Sequence, residues 1–292
     1  MNAFFPISGG IDDHERALGA AAVSGSARLR KRRRVGLLLT LLLVAPTAPT
    51  QAADRTLRVM TWNIHHGEGT DGQVDLERIA AVIKAEEVAL VALQEVDKGV
   101  ERTNRRDLAG ELAALTGMTA LFSNNFSYQG GEYGNAILSR LPVTSWNNTH
   151  LRMLRPGEQR GVLQATVDWH GIPLRFLSTH IDYRRDDAER LANVAEFQQL
   201  AARSATRYFM IAGDFNDFPD SRTHRVMSET FAEAWGSAGV GEGFTFSSDR
   251  PRSRIDYLWV IRGSPLQPAR VWIPQTTASD HLPLVAEFTV EP

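Results

Sequence analysis

Residues 207–217 read RYFMIAGDFND, a short apolar run followed at once by polar residues. The run 207–213 predicts a strand that is hydrophobic on both faces, as in a sheet covered on both sides. Asp214 and Asn216 follow directly at the carboxyl end of this strand. In layered α/β folds, ligand sites usually lie at the carboxyl ends of strands. This stretch therefore predicts a buried sheet with a site at its edge.

Three other predicted strands end in polar residues in the same way. Asn63 closes the run 57–63, Glu95 follows the run 88–94, and His180 follows the run 173–179. A single strand end of this kind is unremarkable. Four of them, all with side chains of metal-ligand or acid–base type, predict one shared site.

The rest of the chain alternates short apolar runs with helical patterns, and no repeat or linker divides it after the N-terminal segment. The predicted strands are 57–63, 88–94, 118–122, 135–139, 162–168, 173–179, 207–213, 255–261, 269–273 and 284–290, and the predicted helices are 75–86, 106–116, 186–203 and 221–229. Ten strands with few helices exceed one doubly wound sheet. We therefore expect an α/β fold with two packed sheets and helices outside them.

The amino-acid composition limits which metal sites and nucleophiles the protein can contain. The 292 residues include no cysteine, which excludes disulfides, thiolate metal sites and cysteine nucleophiles. Any metal must then be held by Asp, Glu, Asn or His, and a carboxylate-rich set of this kind favours hard cations such as Mg²⁺, Mn²⁺ or Ca²⁺.

Charge is distributed unevenly along the chain. Residues 1–53 carry seven of the 32 Lys and Arg residues and three of the 34 Asp and Glu residues, which leaves residues 54–292 with a net charge of −6. A sequence-independent nucleic-acid binder usually has a basic face. Residues 54–292 contain no such basic stretch, which weakens a nuclease interpretation without excluding it.

The N-terminal segment has the order of a secretory signal peptide: basic residues at 28–34, an apolar run at 35–44 and small residues after it. A ten-residue helix rises only about 15 Å, half of a roughly 30 Å hydrocarbon core, so it is too short to span a membrane. We predict a leader at 1–53, export to the periplasm or the medium, and one catalytic domain at 54–292. The basic region is preceded by an unusually long segment, so an internal start or an atypical leader is the alternative.

Seven motifs occur in an order that resembles the endonuclease/exonuclease/phosphatase (DNase I-like) superfamily. They are Thr61-Trp62-Asn63, Gln94-Glu95-Val96, Gly134-Asn135-Ala136-Ile137-Leu138-Ser139-Arg140, Ser178-Thr179-His180, Gly213-Asp214-Phe215-Asn216, Ser253-Arg254-Ile255-Asp256-Tyr257 and Ser279-Asp280-His281-Leu282-Pro283. Each motif alone is weak, whereas seven in order are specific. The resemblance runs from about residue 57 to residue 290. It implies a four-layer αββα sandwich, in which two packed mixed sheets are flanked by helices and the site lies at one end.

The resemblance also implies a metal site. In this interpretation Glu95 binds one divalent cation, Mg²⁺ or Mn²⁺, while Asn63 lies beside it and Asp280 supports the metal region. A cation of this kind would offset the negative charge of a phosphate ester and polarise its phosphoryl oxygen.

The catalytic residues implied by the resemblance surround that metal. Asp214 and Asn216 would hold the attacking water and a phosphate oxygen. His281, oriented by Asp256, would face the phosphate, and His180 matches the histidine of the DNase I-like and sphingomyelinase-like branches. An oriented Asp or His must deprotonate the water, and both Asp214 and His281 are candidates for that base.

Two further residues, Asn135 and Arg160, resemble positions that contact substrate in related enzymes. Tyr133 is a weaker candidate for such a contact. The remaining histidines lack partners at metal-ligand spacing, so we expect them to be surface or loop residues, namely His65, His66, His150, His170 and His224. Since His65 and His66 lie just after the Asn63 motif, with Ile64 between, their loop could still shape the substrate pocket.

The sequence thus predicts a divalent-metal-dependent hydrolase of phosphate esters. Export and negative charge favour a phosphodiesterase that acts on a phospholipid or a small phosphoester, and a secreted DNA or RNA nuclease is the alternative. A catalytically inactive binding module is disfavoured because every expected motif position is filled. We expect a monomer without an obligate protein partner.

Overall fold

Two six-stranded β-sheets pack against each other in the computed structural model, which describes residues 56–290. Helices flank the two sheets, so the predicted four-layer αββα sandwich is confirmed. The predicted leader at 1–53 lies outside the described residues. None of the helices within 56–290 combines the length and the apolar character needed to cross a bilayer.

The described residues form twelve strands and five α-helices. The strands are β1 (Leu57–Asn63), β2 (Leu90–Lys98), β3 (Thr119–Tyr128), β4 (Gly131–Ser139), β5 (Val143–His150), β6 (Gly161–Trp169), β7 (Ile172–His180), β8 (Phe209–Asp214), β9 (Phe231–Glu233), β10 (Asp256–Ile261), β11 (Leu266–Trp272) and β12 (Leu284–Val290). The α-helices are α1 (Leu76–Ala85), α2 (Leu108–Thr116), α3 (Ala188–Ala202), α4 (Arg222–Thr230) and α5 (Ala234–Ala238).

Each sheet contains one parallel pair at its centre. The first sheet has the order β11-β12-β1-β2-β4-β3, and the second has the order β5-β6-β7-β8-β10-β9. β1 and β2 run parallel, and so do β7 and β8. The polar residues that the sequence singles out lie at the carboxyl ends of β1, β7 and β8. In β2 they are Gln94 and Glu95, and the strand continues past them to Lys98.

The central strands are apolar on both faces because both faces are buried. In β1, Val59 belongs to the core between the two sheets, whereas Met60 and Trp62 belong to the core beneath α1 and α2. All three side chains are fully buried. The helix α1 begins at Asp75, whose carboxylate accepts hydrogen bonds from the main-chain nitrogens of Glu77 and Arg78 and so satisfies donors that a helix start leaves free.

The structure adds strands that the apolar patterns did not predict. β5 is an edge strand with mostly exposed side chains, and its sequence VTSWNNTH is too polar to indicate a buried strand. β9 has only three residues, too few for a periodic pattern. β3 extends to Tyr128 rather than to residue 122, because its pairing with β4 continues past a bulge between Asn124 and Phe126.

Gly134 lies opposite this bulge, and we predict that Gly134→Ala destabilises the protein. A Cβ atom there would overlap the main-chain oxygen of Ser123, which cannot move without breaking the β3–β4 ladder. Overpacking of this kind costs about 1–3 kcal/mol or more. Denaturant unfolding followed by circular dichroism measures the change.

The matched control is Gly236→Ala in α5, where an added Cβ meets only ordinary van der Waals contact. This control should leave the stability unchanged or raise it by up to about 1 kcal/mol, because alanine favours helix over glycine. Equal stability of the Gly134→Ala variant and the wild type would contradict the close approach of β3 and β4.

Candidate active site

The ends of three neighbouring strands align His180, Asp214 and Asp256 across the second sheet. His180 and Asp214 are register partners in the parallel pair β7–β8, and Asp214 and Asp256 are partners in the antiparallel pair β8–β10. All three side chains are buried. Register alone therefore places two carboxylates and an imidazole side by side.

The first sheet contributes Asn63 at the end of β1 and Glu95 from within β2. Asn63 pairs with Gln94, and the ladder between β2 and β4 then breaks at a bulge that contains Glu95. Glu95 adopts a left-handed φ of 59°, which is uncommon for a residue with a side chain. The amide nitrogen of Asn63 donates to Glu95 Oε1 at 2.9 Å and to Asp214 Oδ2 at 3.1 Å, so Asn63 connects the two sheets.

His281 reaches the second sheet from the loop between β11 and β12. The indole of Trp62 donates to the His281 carbonyl at 2.9 Å, and Ser279 Oγ donates to the Asn63 carbonyl at 2.7 Å, so the loop is anchored to the end of β1. His281 Nδ1 lies 2.9 Å from Asp256 Oδ2, and its Nε2 lies 3.7 Å from Asp214 Oδ2. The imidazole thus bridges the two buried carboxylates.

Burial and mutual interaction shift the pKa values of this cluster. Burial raises the pKa of Asp214, and the neighbouring Asp256 carboxylate raises it further, to about 7. Burial opposes the charged form of His281, but attraction and hydrogen bonding to Asp256 overcome this effect and raise the pKa of His281 to about 10. His281 is therefore a cation at neutral pH, whereas Asp214 is close to the point at which it gains or loses a proton.

His180 and Asn216 form the opposite side of the cluster. The amide nitrogen of Asn216 lies 2.9 Å from His180 Nε2 and also donates to the Ile181 carbonyl at 3.1 Å. Burial holds the pKa of His180 well below its usual range, and the nearby Arg160 lowers it further. His180 is therefore neutral, so its 3.4 Å contact with Asp214 is not an ion pair.

A cleft of about 440 Å³ opens over these residues. It is lined by Glu95, Arg102, Phe126, Tyr128, Tyr133, Glu158, Arg160, His180, Tyr183, Asp214, Asn216, Phe246, Asp280 and His281. Both of its arginines are paired with carboxylates: Arg160 with Glu158 at 2.6 Å, and Arg102 with the fully buried Asp97 at 2.8 Å. The cleft therefore combines aromatic walls with cations that are already neutralised.

Most of the residues predicted from the sequence meet at this cleft. Seven of them line it directly, while Asn63 and Asp256 lie immediately beneath. The seven are Glu95, Arg160, His180, Asp214, Asn216, Asp280 and His281. Asn135 is placed differently, because its buried amide donates to the Gly161 carbonyl at 3.0 Å. That hydrogen bond connects the two sheets through Asn135. The role of Asn135 in substrate binding stays a prediction.

Sequence reasoning missed two groups of residues at the site. His65 and His66, which we expected to be loop residues without partners, lie beside Glu95 with potential ligand atoms within 4.8 Å of one another. The cleft residues Arg102 and Tyr128 were also missed, because their elements are joined only in the tertiary structure. The one available signal was the position of His65 and His66 close after Asn63, with Ile64 between.

A larger surface depression of about 700 Å³ lies beside α1 and α2. Its charged side chains already form ion pairs, such as Arg78 with Asp71 at 2.9 Å and Arg106 with Glu111 at 2.6 Å. None of the residues predicted for catalysis or metal binding lines it. The smaller cleft is therefore the candidate active site.

Comparison with known proteins agrees with this arrangement. The model of the Endonuclease/Exonuclease/phosphatase family matches residues 60–281. The protein YbhP of Escherichia coli (strain K12), which is described as uncharacterized, is 27% identical over 260 residues, which cover 82% of this chain and 99% of YbhP.

Solved structures share the fold at lower identity. The endonuclease/exonuclease/phosphatase from Beutenbergia cavernae DSM 12333 superimposes with a TM-score of 0.68 at 24% identity, covering 81% of this chain and 72% of that one. The Bacteroides thetaiotaomicron VPI-5482 mannosyl-6-phosphatase gives a TM-score of 0.65 at 14% identity, covering 80% of this chain and 99% of that one.

The buried ion pair between His281 and Asp256 leads to a prediction for the metal-free protein. Asp256→Asn removes the charge and the hydrogen-bond acceptor that most stabilise the imidazolium, so the pKa of His281 should fall, with Asp214 and Asp280 left to oppose the effect of burial. NMR titration of the His281 ring in the presence of EDTA measures this shift. Asp71→Asn, at an exposed carboxylate paired with Arg78, is the control and should leave the His281 titration unchanged. An unchanged pKa in Asp256→Asn would refute the pairing.

Proposed function

Because the chain belongs to the endonuclease/exonuclease/phosphatase family, we propose that it is a divalent-metal-dependent hydrolase of phosphate esters. Members of this family hydrolyse phosphoester bonds. The observation that carries the proposal is the convergence of Glu95, Asp214 and the Asp256–His281 pair on one cleft. The predicted leader makes export to the periplasm or the medium part of the same proposal.

The residues beside Glu95 fit a divalent cation. Glu95 and Asp280 both line the cleft, and within residues 56–290 neither carboxylate forms an ion pair with a lysine or an arginine. Carboxylate oxygens without such partners are suitable ligands for Mg²⁺ or Mn²⁺. Glu95, Asn63 and Asp280 would hold the ion, which would offset charge on the phosphate and polarise a phosphoryl oxygen.

The pKa values of Asp214 and His281 indicate which of the two acts as the base and which acts as a cation. Asp214, with its pKa near neutrality, is the better proton acceptor and acts as the general base toward water. His281 already carries its proton, which Asp256 stabilises, and therefore faces the phosphate as a cation where negative charge develops. The sequence left both residues as candidates for the base, and the electrostatics of the site favour Asp214.

The cleft supports a small phosphoester or a phospholipid headgroup as the substrate. Its aromatic rim includes Tyr183, Tyr128 and Phe246, whose side chains are 64%, 37% and 36% exposed and offer apolar faces for the part of the ester beyond the phosphate. The pairing of Arg102 with Asp97 and of Arg160 with Glu158 leaves little free positive charge for a long polyanion.

A secreted DNA or RNA nuclease is the second candidate, which rests on the family alone. A nucleic-acid backbone needs several cationic contacts along its length, and binding of this kind weakens steeply with salt. One solved structure of the same fold is named as a mannosyl-6-phosphatase, and its name is consistent with a small substrate.

The substrate assignment is tested with one panel of assays. Purified full chain is supplied with Mg²⁺ or Mn²⁺ and offered bis-p-nitrophenyl phosphate, p-nitrophenyl phosphate, sphingomyelin, glycerophospholipids, plasmid DNA and RNA. We expect hydrolysis of the small esters or the phospholipids, measured as released p-nitrophenol or headgroup. Faster cleavage of DNA or RNA than of every other substrate would establish the nuclease alternative instead.

Two variants separate metal binding from acid–base chemistry. Glu95→Gln removes a ligand charge, so the rate should fall and should recover in part as Mg²⁺ or Mn²⁺ is raised. His281→Ala should leave the metal dependence nearly unchanged and lower kcat by about 10²–10⁴-fold, the usual loss for a group acting in the transition state.

The double variant Asp256→Asn/His281→Ala provides the internal control for these roles. Because Asp256 acts through His281, the two losses should be far from additive. Equal recovery of the Glu95 and His281 variants by added metal, or strictly additive effects of Asp256 and His281, would show that the roles are assigned wrongly.

A further inference from the structure

Two consecutive histidines lie beside the Glu95 carboxylate at the end of β1. His65, His66 and Glu95 each offer a ligand atom, and these three atoms lie within 4.8 Å of one another. The imidazole rings of His65 and His66 meet edge to face with centroids 4.4 Å apart. Both residues adopt a left-handed φ of 45°, and the His65 main-chain nitrogen donates to Asn63 Oδ1 at 3.0 Å. The turn is thus fixed to the residue that also contacts Glu95.

His66 has the environment of a metal ligand. Its side chain is buried, with the residue 6% exposed, and its Nε2 lies 3.3 Å from Glu68 Oε2. Its Nδ1 is buried without any hydrogen-bond partner. A ligating histidine almost always donates its other ring N–H to a carboxylate, which fixes the tautomer and leaves a lone pair on the remaining nitrogen. A buried nitrogen without a partner is otherwise unfavourable.

His65 adds a second imidazole next to Asp280. Its Nδ1 lies 3.9 Å from Asp280 Oδ1, and its side chain is about one-third exposed. Glu95 and Asp280 line the cleft, whereas neither histidine is among the lining residues. The two imidazoles therefore extend the carboxylate site away from the substrate space.

We infer that His65 and His66 join Glu95 as metal ligands, so that the site prefers a transition cation such as Zn²⁺, Fe²⁺ or Ni²⁺ over Mg²⁺. Imidazole nitrogen binds these cations well, whereas Mg²⁺ selects oxygen ligands and keeps much of its water. Glu68 then orients His66 as its hydrogen-bond partner. This inference rests on the proposed function in one respect, since both place the cation at Glu95.

Metal affinity tests the inference without any substrate. Full chain is stripped with EDTA, and dissociation constants for Zn²⁺ and Mg²⁺ are measured by competition with indicator chelators. We expect Zn²⁺ to bind more tightly than Mg²⁺, because imidazole nitrogen suits Zn²⁺ and Mg²⁺ prefers oxygen ligands. Glu68→Gln, which removes the hydrogen-bond partner of a ligand, should weaken Zn²⁺ binding about 10–100-fold. His66→Ala, which removes the ligand itself, should weaken it more, and both variants should change Mg²⁺ binding much less.

The matched control is His170→Ala. His170 is exposed in the turn between β6 and β7, at the opposite end of β7 from His180. This variant should bind both cations as the wild type does. Unchanged Zn²⁺ affinity in both His65→Ala and His66→Ala would overturn the inference, since a purely structural His66–Glu68 contact predicts that result.

A second measurement covers the case in which the variants fail to fold. Zinc-edge X-ray absorption of the wild-type one-to-one complex should contain the scattering pattern of two imidazoles, and a shell of oxygen ligands alone would refute the inference. The two proposals can fail separately. Zinc binding through histidine in a protein that cleaves no phosphate ester would refute the proposed function only, whereas an active enzyme with an oxygen-only shell would refute this inference only.

Discussion

The site depends on a cation that offsets the negative charges of two buried carboxylates. Asp214 and Asp256 are register partners in β8 and β10, and both side chains are almost completely buried. Two negative charges this close in a low-dielectric interior are unfavourable unless one is protonated or a cation lies between them. His281 is that cation, in contact with both carboxylates. Its position therefore determines the charge of the whole cluster.

The contact of His281 with the two carboxylates also connects the two sheets. The carboxylates belong to the second sheet, whereas the loop that carries His281 is anchored to Trp62 and Asn63 at the end of β1 in the first. Asn63 adds a direct link, because its amide contacts both Glu95 and Asp214. A cleft between the sheets can thus hold a metal region on one side and acid–base groups on the other, with Asn63 between them.

The sequence predicted strands where burial on both faces requires a run of apolar residues. β1, β2, β7 and β8 are covered on both faces, so their apolar runs were visible, and a polar residue of the site closes or follows each run, although β2 itself continues past Glu95 to Lys98. β5 was not visible, because an exposed edge strand needs no apolar pattern. His65 and His66 were misjudged for a related reason. Their partner Glu95 lies about thirty residues away and is turned toward them by a bulge that leaves no mark in the apolar pattern.

The sequence by itself determined the two-sheet class, the strand ends that carry polar side chains and the ordered motifs of the family, because these features depend on local periodicity and residue type. Only the tertiary structure decided which side chains meet. The pairing of Arg102 with Asp97, the bracing role of Asn135 and the histidine pair at Glu95 all depend on register, on a bulge and on loop placement. These are distances between residues far apart in the chain, and they are set by how the two sheets pack rather than by any single segment.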